Sequence, residues 1–196
     1  MTILFDAVTW SFGAHKIFDG VSLTLDGGKI IGVTGKNGAG KSTFLELAGK
    51  ILQPDGGRVT FPDEKKIAAV SPEMKLYDGL TAAENLKFFA RLRGKILSDD
   101  EVVTLGQRVG LDMKTFGRER TENFSTGMRQ RLKFATLLAV DADVWLLDEP
   151  TANLDGAGRE NFFAEIQAAK SDKIILLATN DATEAQVCDE IITLPL

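Results

Sequence analysis

The sequence has little cysteine and little histidine, which limits the sites it can build. Its one cysteine, Cys188, cannot form an internal disulfide and suits a small packed residue in a reducing compartment. Its one histidine, His15, is expected in a loop between two strands. A lone exposed histidine is more often a solvated surface residue than a ligand, so no site is predicted from it.

Long apolar runs and clusters of basic residues are also lacking. No stretch reaches the about 18 apolar residues of a membrane span, so any membrane role is expected to come through a partner. The formal net charge is −5 and no basic run exceeds two adjacent residues. Because binding of a nucleic-acid backbone needs clustered Lys and Arg, we expect no nucleic acid as the main ligand. The 196 residues suit a single domain.

Glycine, in contrast, is concentrated in a phosphate-binding motif. The segment runs Gly35, Lys36, Asn37, Gly38, Ala39, Gly40, Lys41 and Ser42, followed by Thr43. It matches the pattern G-x-x-x-x-G-K-[ST], whose backbone N–H groups form an anion nest, whose lysine reaches the β- and γ-phosphates and whose hydroxyl binds Mg²⁺. A buried strand over residues 29–34 precedes it and a helix from Ser42 follows, as the motif requires. The alternative is a glycine-rich turn that matches by chance.

Hydrophobic periodicity predicts strands that alternate with helices. Strands are expected at 2–10, 16–25, 59–61, 66–70, 144–147, 173–177 and 191–194, with turns at 11–14 and at Pro62-Asp63. Helices are expected from capping boxes at Thr81 and Ser98, and over 126–140, 156–169 and 181–187. This alternation predicts an α/β fold with a parallel sheet covered on both faces. The core would comprise residues 1–77 and 142–196, with a helical subdomain over 78–141 inserted into it.

A second chemical motif follows the predicted strand at 144–147. Asp148 and Glu149 come directly after four apolar residues, and the carboxyl end of a buried strand is the ligand side of an α/β sheet. Asp148 would hold Mg²⁺, through Ser42 or water, and Glu149 would orient or deprotonate an attacking water. Alone, an apolar strand ending in two acids is a weak signal, and the phosphate loop strengthens it.

A third motif lies shortly before that strand and carries a family resemblance. The segment 124–128 reads F-S-T-G-M and is followed by R-Q-R, and residues 150–155 read P-T-A-N-L-D. With the two motifs above, in this order, the chain resembles the nucleotide-binding subunit of an ABC transporter, whose signature usually reads L-S-G-G-Q. The S-x-G-M form is similar to that of exporters of the ABC-2 type or of the haem-exporter type. Ser125 also suits the N-cap of the helix at 126–140.

The resemblance implies a fold, an activity and partners. The fold would be a P-loop NTPase (RecA-like) core with an N-terminal antiparallel β subdomain and an inserted α-helical subdomain. The chain would hydrolyse ATP with Mg²⁺ and drive a separate membrane-spanning permease, from the cytoplasmic side, peripheral on the inner face of the membrane. A second nucleotide-binding subunit would close on it head to tail, and a homodimer would suffice.

The resemblance also implies roles for residues outside the first two motifs. Ser125, Thr126, Gly127 and Met128 would face the nucleotide of the other subunit, and Asp155 would lie at the same interface. Phe12 would stack on adenine, although a core phenylalanine at a strand end is the alternative reading.

The sequence departs from the family at two positions. Asn180 stands where the family carries a histidine that contacts the γ-phosphate; its amide can donate a hydrogen bond but cannot become cationic, so slow hydrolysis is expected. Glu73 is the best substitute for the glutamine of the loop before the helical segment, and it is either a ligand of Mg²⁺ or water or a solvated residue. Met74, Leu76 and Tyr77 of that loop either contact the permease or are buried in the helical subdomain.

Two other functions stay open at this point. A soluble ABC-type ATPase of DNA maintenance or translation would carry long coiled coils or two cassettes, and neither is present. A module that senses ATP and barely hydrolyses it would fit Asn180 and the missing glutamine. The intact Lys41, Asp148 and Glu149 argue against the sensor.

Overall fold

The computed structural model describes residues 1–61 and 66–196, and the turn expected at Pro62-Asp63 lies outside them. The strands are β1 (Thr2–Phe12), β2 (His15–Asp26), β3 (Lys29–Thr34), β4 (Gly56–Thr60), β5 (Ile67–Val70), β6 (Val144–Asp148), β7 (Ile174–Ala178) and β8 (Glu190–Thr193). The α-helices are α1 (Lys41–Ala48), α2 (Ala82–Leu92), α3 (Asp99–Arg108), α4 (Met113–Phe116), α5 (Thr126–Val140), α6 (Gly156–Ala169) and α7 (Ala182–Gln186). Short 3₁₀ helices cover Thr121–Asn123 and Lys170–Asp172.

An antiparallel sheet of order β2-β1-β4 forms the N-terminal part of the chain, as the predicted β subdomain required. The first hairpin is tighter than expected, because β1 continues to Phe12 and β2 starts at His15. Its loop is therefore only Gly13-Ala14, and the predicted four-residue turn and the loop position of His15 are wrong. Pairing across the hairpin extends the strands beyond the point where their alternating sequence pattern ends.

A second sheet, of order β5-β6-β7-β3-β8, contains the predicted parallel strands. Its register places the carboxyl ends of three strands side by side, since Val33 of β3 and Asp148 of β6 both pair with Ala178 of β7. The residues that follow these strands therefore emerge at one edge of the sheet, where parallel sheets place their ligands. All residues of β6 and β7 are buried, which is why both strands read as continuous apolar runs.

The core beside this sheet is aromatic and aliphatic. Phe44 of α1 stacks on Phe5 of β1 with ring centroids 5.0 Å apart, and both side chains are buried. Leu146 and Leu176, on neighbouring strands, belong to the same buried cluster. This packing holds α1, the helix that follows the phosphate loop, against β1 of the antiparallel sheet and against β6 and β7 of the parallel sheet.

Two compact units divide the described chain. One comprises Met1–Ala69, Asp143–Glu149 and Ala168–Leu196, and the other Val70–Ala142 and Pro150–Gln167. The second unit thus starts at residue 70 and includes α6 up to Gln167, whereas the proposed helical subdomain over 78–141 left α6 in the core. No helix in the described ranges is long and apolar enough to cross a membrane.

The helical unit confirms both predicted capping boxes. The Thr81 hydroxyl accepts from the Glu84 N–H while the Glu84 carboxylate accepts from the Thr81 N–H, and Ser98 and Glu101 repeat the arrangement. The helix expected over 126–140 is α5. The sequence did not reveal α4 or the 3₁₀ helix at Thr121–Asn123, because four or three residues are too few to show a helical period.

Candidate functional site

The phosphate loop joins β3 to α1, with the shape that its motif predicts. Gly40 has φ +94° and immediately precedes α1, and a Cβ there would lie 2.5 Å from Ile17 Cγ2, so only glycine fits. The helix starts without a side-chain cap. Its first N–H groups are consequently available to an anion, whose charge the helix dipole also favours.

Lys41 is folded back onto the loop that precedes it. Its side chain is buried, and its Nζ donates to the carbonyls of Gly35 at 3.1 Å and Lys36 at 3.4 Å. Both acceptors are neutral, and a phosphate oxygen would be a stronger, charge-assisted acceptor for the same ammonium group. The lysine is therefore in place to exchange these carbonyls for phosphate.

Ser42 and Asp148 meet beside the loop. The Ser42 hydroxyl donates to Asp148 Oδ2 at 2.6 Å, and the carboxylate is largely buried at the end of β6. A hydroxyl and a carboxylate oxygen at this separation fit Mg²⁺, which prefers oxygen ligands and usually takes one or two protein groups together with phosphate and water. When bound, the ion would neutralise charge on the phosphates.

Glu149 follows Asp148 with an unusual backbone. Its φ is +46°, in the left-handed region, and its N–H donates to the carbonyl of Ala178 at 2.9 Å. A non-glycine residue in this region is strained, and such strain is found mostly at functional sites. The turn exposes the carboxylate at the sheet edge instead of burying it with the strand.

The side chains described above line one cavity of about 470 Å³. Its wall includes Gly38, Gly40, Lys41, Ser42, Thr43, Asn37, Asp148 and Glu149, and also Trp10, Phe12, His15 and Ile17 of the first hairpin. Phe12 is 76% exposed, which excludes the alternative that it belongs to the core. His15 lies in the same wall, although the sequence predicted only a solvated surface residue.

Asn180 reaches the phosphate loop from the other side. It follows β7, and its side-chain amide Nδ2 donates to Asn37 Oδ1. With Gly35 and Lys36 it lines a second cavity of about 330 Å³. Ala39 instead packs against the core at the base of the loop. Asn180, which the resemblance places where the family carries a histidine, is thus adjacent to the phosphate loop, and its contact with the γ-phosphate stays a prediction.

The signature segment forms a separate cavity in the second unit. The Ser125 hydroxyl caps α5 by accepting from the Met128 N–H at 3.2 Å, which confirms its predicted N-cap role. A Cβ on Gly127 would lie 2.9 Å from the carbonyl oxygen of Asn153. Glycine is therefore required at this position, whereas the side chain of Thr126, one residue earlier, is exposed.

Asp155 belongs to that same cavity, whose volume is about 520 Å³ and whose wall also includes Ser125, Thr126, Gly127 and Met128. The Gly158 N–H donates to Asp155 Oδ1 at 2.8 Å, and the Arg131 guanidinium pairs with the same oxygen. The hydrogen bond from Gly158 first, and then the positive charge of Arg131, lower the pKa of Asp155. The structure thus places Asp155 and the signature residues on one charged surface at the capped N-terminus of α5.

The loop that carries Glu73 is held by a lysine that the sequence did not single out. Lys133 Nζ, on α5, donates to the carbonyls of Ser71 at 3.0 Å and Pro72 at 3.2 Å. Burial lowers the pKa of Lys133, and the charge of Glu73 opposes that shift. Glu73 itself is exposed, and its contact with Mg²⁺ or water stays a prediction. Leu76 is buried, so of the loop's three proposed permease contacts only Tyr77 is well exposed.

Comparison with known proteins agrees with this geometry. The family described as ABC transporter matches residues 18–152 of the chain. The ABC transporter ATP-binding protein NatA of Bacillus subtilis is 38% identical over 189 residues, which cover 88% of this chain and 75% of NatA. The cytochrome c biogenesis ATP-binding export protein CcmA of Rhizobium johnstonii is 35% identical over 184 residues, 86% of this chain and 83% of CcmA. Mouse ABC-type organic anion transporters also match, and the chain spans 11% of their length.

Solved structures show the same fold. A dimeric, post-hydrolysis ATP-binding cassette bound to ADP and Pi superimposes with a TM-score of 0.85 at 23% identity, over 98% of this chain and 94% of that one. A putative ABC transporter ATP-binding protein from Pyrococcus furiosus gives the same TM-score at 20% identity, over 99% and 98%.

Proposed function

The chain belongs to the ABC transporter family as an ATP-binding and ATP-hydrolysing subunit, and from this premise we propose that it drives a separate membrane permease. The observation that carries the proposal is the set of groups at one sheet edge. There the Ser42–Asp148 pair, the buried Lys41 and the exposed Glu149 line one cavity. These are the parts that phosphoryl transfer to water requires.

In this proposal each side chain has one task. Lys41 leaves the carbonyls of Gly35 and Lys36 and binds the β- and γ-phosphates. Ser42 and Asp148 hold Mg²⁺. Glu149 accepts a hydrogen bond from the attacking water and places it in line with the γ-phosphate. Asn180, whose amide already reaches Asn37, donates to the γ-phosphate without adding a positive charge, so hydrolysis is slow.

A second subunit completes the site. The capped N-terminus of α5 offers backbone N–H groups and positive dipole charge, and we assign it to the γ-phosphate bound by the other subunit. Asp155, fixed by Gly158 and Arg131, lies on that same surface. ATP binding would close two copies head to tail, and hydrolysis would separate them.

The permease would contact an aromatic surface of the helical unit. Tyr77 is 50% exposed and meets Phe88 with ring centroids 4.7 Å apart and Phe89 at 6.2 Å. Leu92 and Ile96, farther along the same segment, are also exposed. An exposed ring that contacts neighbouring rings, as Tyr77 contacts Phe88 and Phe89, supports a protein contact at this place. This contact would hold the chain at the inner face of the membrane. The similarity to an export protein favours export.

The test uses a tagged Glu149→Gln chain in its native cell, purified from detergent-solubilised membranes with ATP and Mg²⁺. We expect one multi-spanning protein to accompany it, because the variant binds ATP but cannot complete hydrolysis. A Tyr77→Asp chain should lose this partner and keep its ATPase activity. Recovery of soluble chains alone with Glu149→Gln would contradict the permease assignment, and a Tyr77→Asp chain that keeps the partner would contradict the contact at Tyr77.

Dimerisation has its own test. With ATP, purified Glu149→Gln should elute at twice the mass of the wild-type chain without nucleotide. Adding Ser125→Arg should abolish this dimer and leave ATP binding intact, because the substitution lies on the signature surface and not in the phosphate loop. A dimer that survives Ser125→Arg would contradict the head-to-tail arrangement.

A further inference from the structure

His15 occupies a wall of the nucleotide cavity although no sequence motif includes it. It starts β2 directly opposite Phe12, the last residue of β1, across a loop of two residues. Ile17, two residues farther along β2, lies against Gly40 of the phosphate loop. The pairing of β1 with β2 shifts register between Trp10 and Ser11, at the level of Ile17, and both His15 and Ile17 line the cavity.

The spacing of the two rings determines how they could meet a base. Directly opposed residues have Cβ atoms about 5 Å apart. A base between two rings needs about 7 Å, which is two van der Waals contacts of about 3.5 Å. A base held between Phe12 and His15 is therefore disfavoured, and the two neighbouring rings would instead offer a base one shared stacking platform.

Both rings are exposed on this platform. Trp10 and Phe12 also approach each other, with ring centroids 6.5 Å apart. Aromatic rings that are exposed side by side beside a phosphate-binding loop are suited to stacking on a nucleobase, and a wider platform covers more of a two-ring base than of a one-ring base.

We propose that His15 is a base-binding residue that extends the Phe12 surface and makes the site prefer purine over pyrimidine nucleotides. The proposal rests on the proposed function, since it concerns the same ATP site. The phosphate contacts of Lys41 and Ser42 are common to all nucleotides. Selection among bases must then come from the hairpin side of the cavity, where His15 extends the aromatic surface that Trp10 and Phe12 provide.

The experiment measures the dissociation constants of ADP, CDP and inorganic pyrophosphate by calorimetry, on the full chain. His15→Ala should weaken ADP binding by about fivefold, weaken CDP binding by less than twofold and leave pyrophosphate binding unchanged. His15→Phe should restore ADP binding, because it keeps a flat ring. Lys16→Ala is the matched control: Lys16 is the next residue of β2, pairs with Asp19 at 3.1 Å and lies outside the lining of the cavity.

Four results would overturn the proposal. ADP binding that is unchanged in His15→Ala would remove His15 from the site. An equal loss for ADP and pyrophosphate would mean that His15 acts on phosphate as a charge. Failure of His15→Phe to restore binding, or an equal effect of Lys16→Ala, would show that ring stacking is not the cause. The proposed function fails separately, if wild-type chain does not bind ADP or if Lys41→Ala binds it equally well.

Discussion

Ser42 and Asp148 lie 106 positions apart in the sequence, yet the hydroxyl of one donates to the carboxylate of the other at 2.6 Å. The contact joins the start of α1 to the end of β6. It depends on the register of the parallel sheet, in which β7 separates β6 from β3. The pair thereby places the two protein ligands that we assign to Mg²⁺ within hydrogen-bond distance of each other.

Asp148→Asn should reduce Mg²⁺-dependent ATP hydrolysis by at least about 100-fold, since even residues that only orient a metal ligand cost 10- to 100-fold in affinity or activity. Binding of ADP in EDTA should change less than about twofold, because Lys41 and the loop N–H groups remain. A steady-state phosphate-release assay across Mg²⁺ concentrations measures hydrolysis, and calorimetry measures the binding of ADP. An equal loss of ADP binding in EDTA would indicate damage to the loop and not loss of a metal ligand.

Glu149→Gly should stabilise the fold by about 1 kcal/mol while it abolishes hydrolysis. Glycine adopts φ +46° without the cost that glutamate incurs there, and the lost side chain is exposed. Urea unfolding of the nucleotide-free chain measures the change. Glu149→Ala is the matched control, which loses the carboxylate and retains the strain. If both variants are equally stable, the left-handed backbone at Glu149 costs nothing.

Asn180→His should raise ATP turnover severalfold. An imidazole at this position can carry a positive charge to the γ-phosphate, whereas the amide can only donate a hydrogen bond. Single-turnover hydrolysis by the purified chain isolates this step from product release. Asn180→Ala serves as the comparison and should be no faster than wild type. A histidine variant that is equally slow or slower would show that the missing charge does not limit hydrolysis.

Lys133→Met should destabilise the chain by about 1–2 kcal/mol, because two carbonyls lose a charged donor at a partly buried position. Lys133→Arg should recover part of that loss, since it keeps charge and donors. Hydrogen exchange should also speed up around residues 71–77 in the methionine variant. Unchanged exchange there would mean that Lys133 does not hold the loop that carries Glu73.

Cys188 should be nearly inert in the folded protein. Burial above all, and then the charges of Glu184 and Asp189, raise the pKa of its thiol from 9.0 to about 11. Alkylation by iodoacetamide at pH 8 should therefore be about 100-fold slower than in urea, since only the thiolate reacts. The thiol loses its proton at a higher pH in the folded state than in the unfolded state. Its contribution to the free energy of unfolding is therefore fully present below pH 9 and is lost as the pH rises through 11. A Cys188→Ser chain should not show that loss.

The sequence by itself determined the local features of this protein. Gly40 and Lys41 are recognisable because the phosphate loop requires glycine and lysine at fixed spacing. Thr81, Ser98 and Ser125 start helices through hydrogen bonds to residues only three positions away. All such signals depend on neighbours in the chain, and the residue order therefore specifies them directly.

Tertiary structure alone decided which distant groups meet. Four features depend on strand register or on packing between segments far apart in sequence. They are the continuation of β1 to Phe12, the cavity position of His15, the hydrogen bond from Lys133 to Ser71 and the hydrogen bond from Ser42 to Asp148. No local pattern encodes them, because a register shift of one residue would turn Phe12, His15 and Asp148 to the opposite faces of their strands, and the partners of Ser42 and Lys133 lie in segments far away along the chain. The buried apolar residues of the two sheets select the observed register, and through it the site.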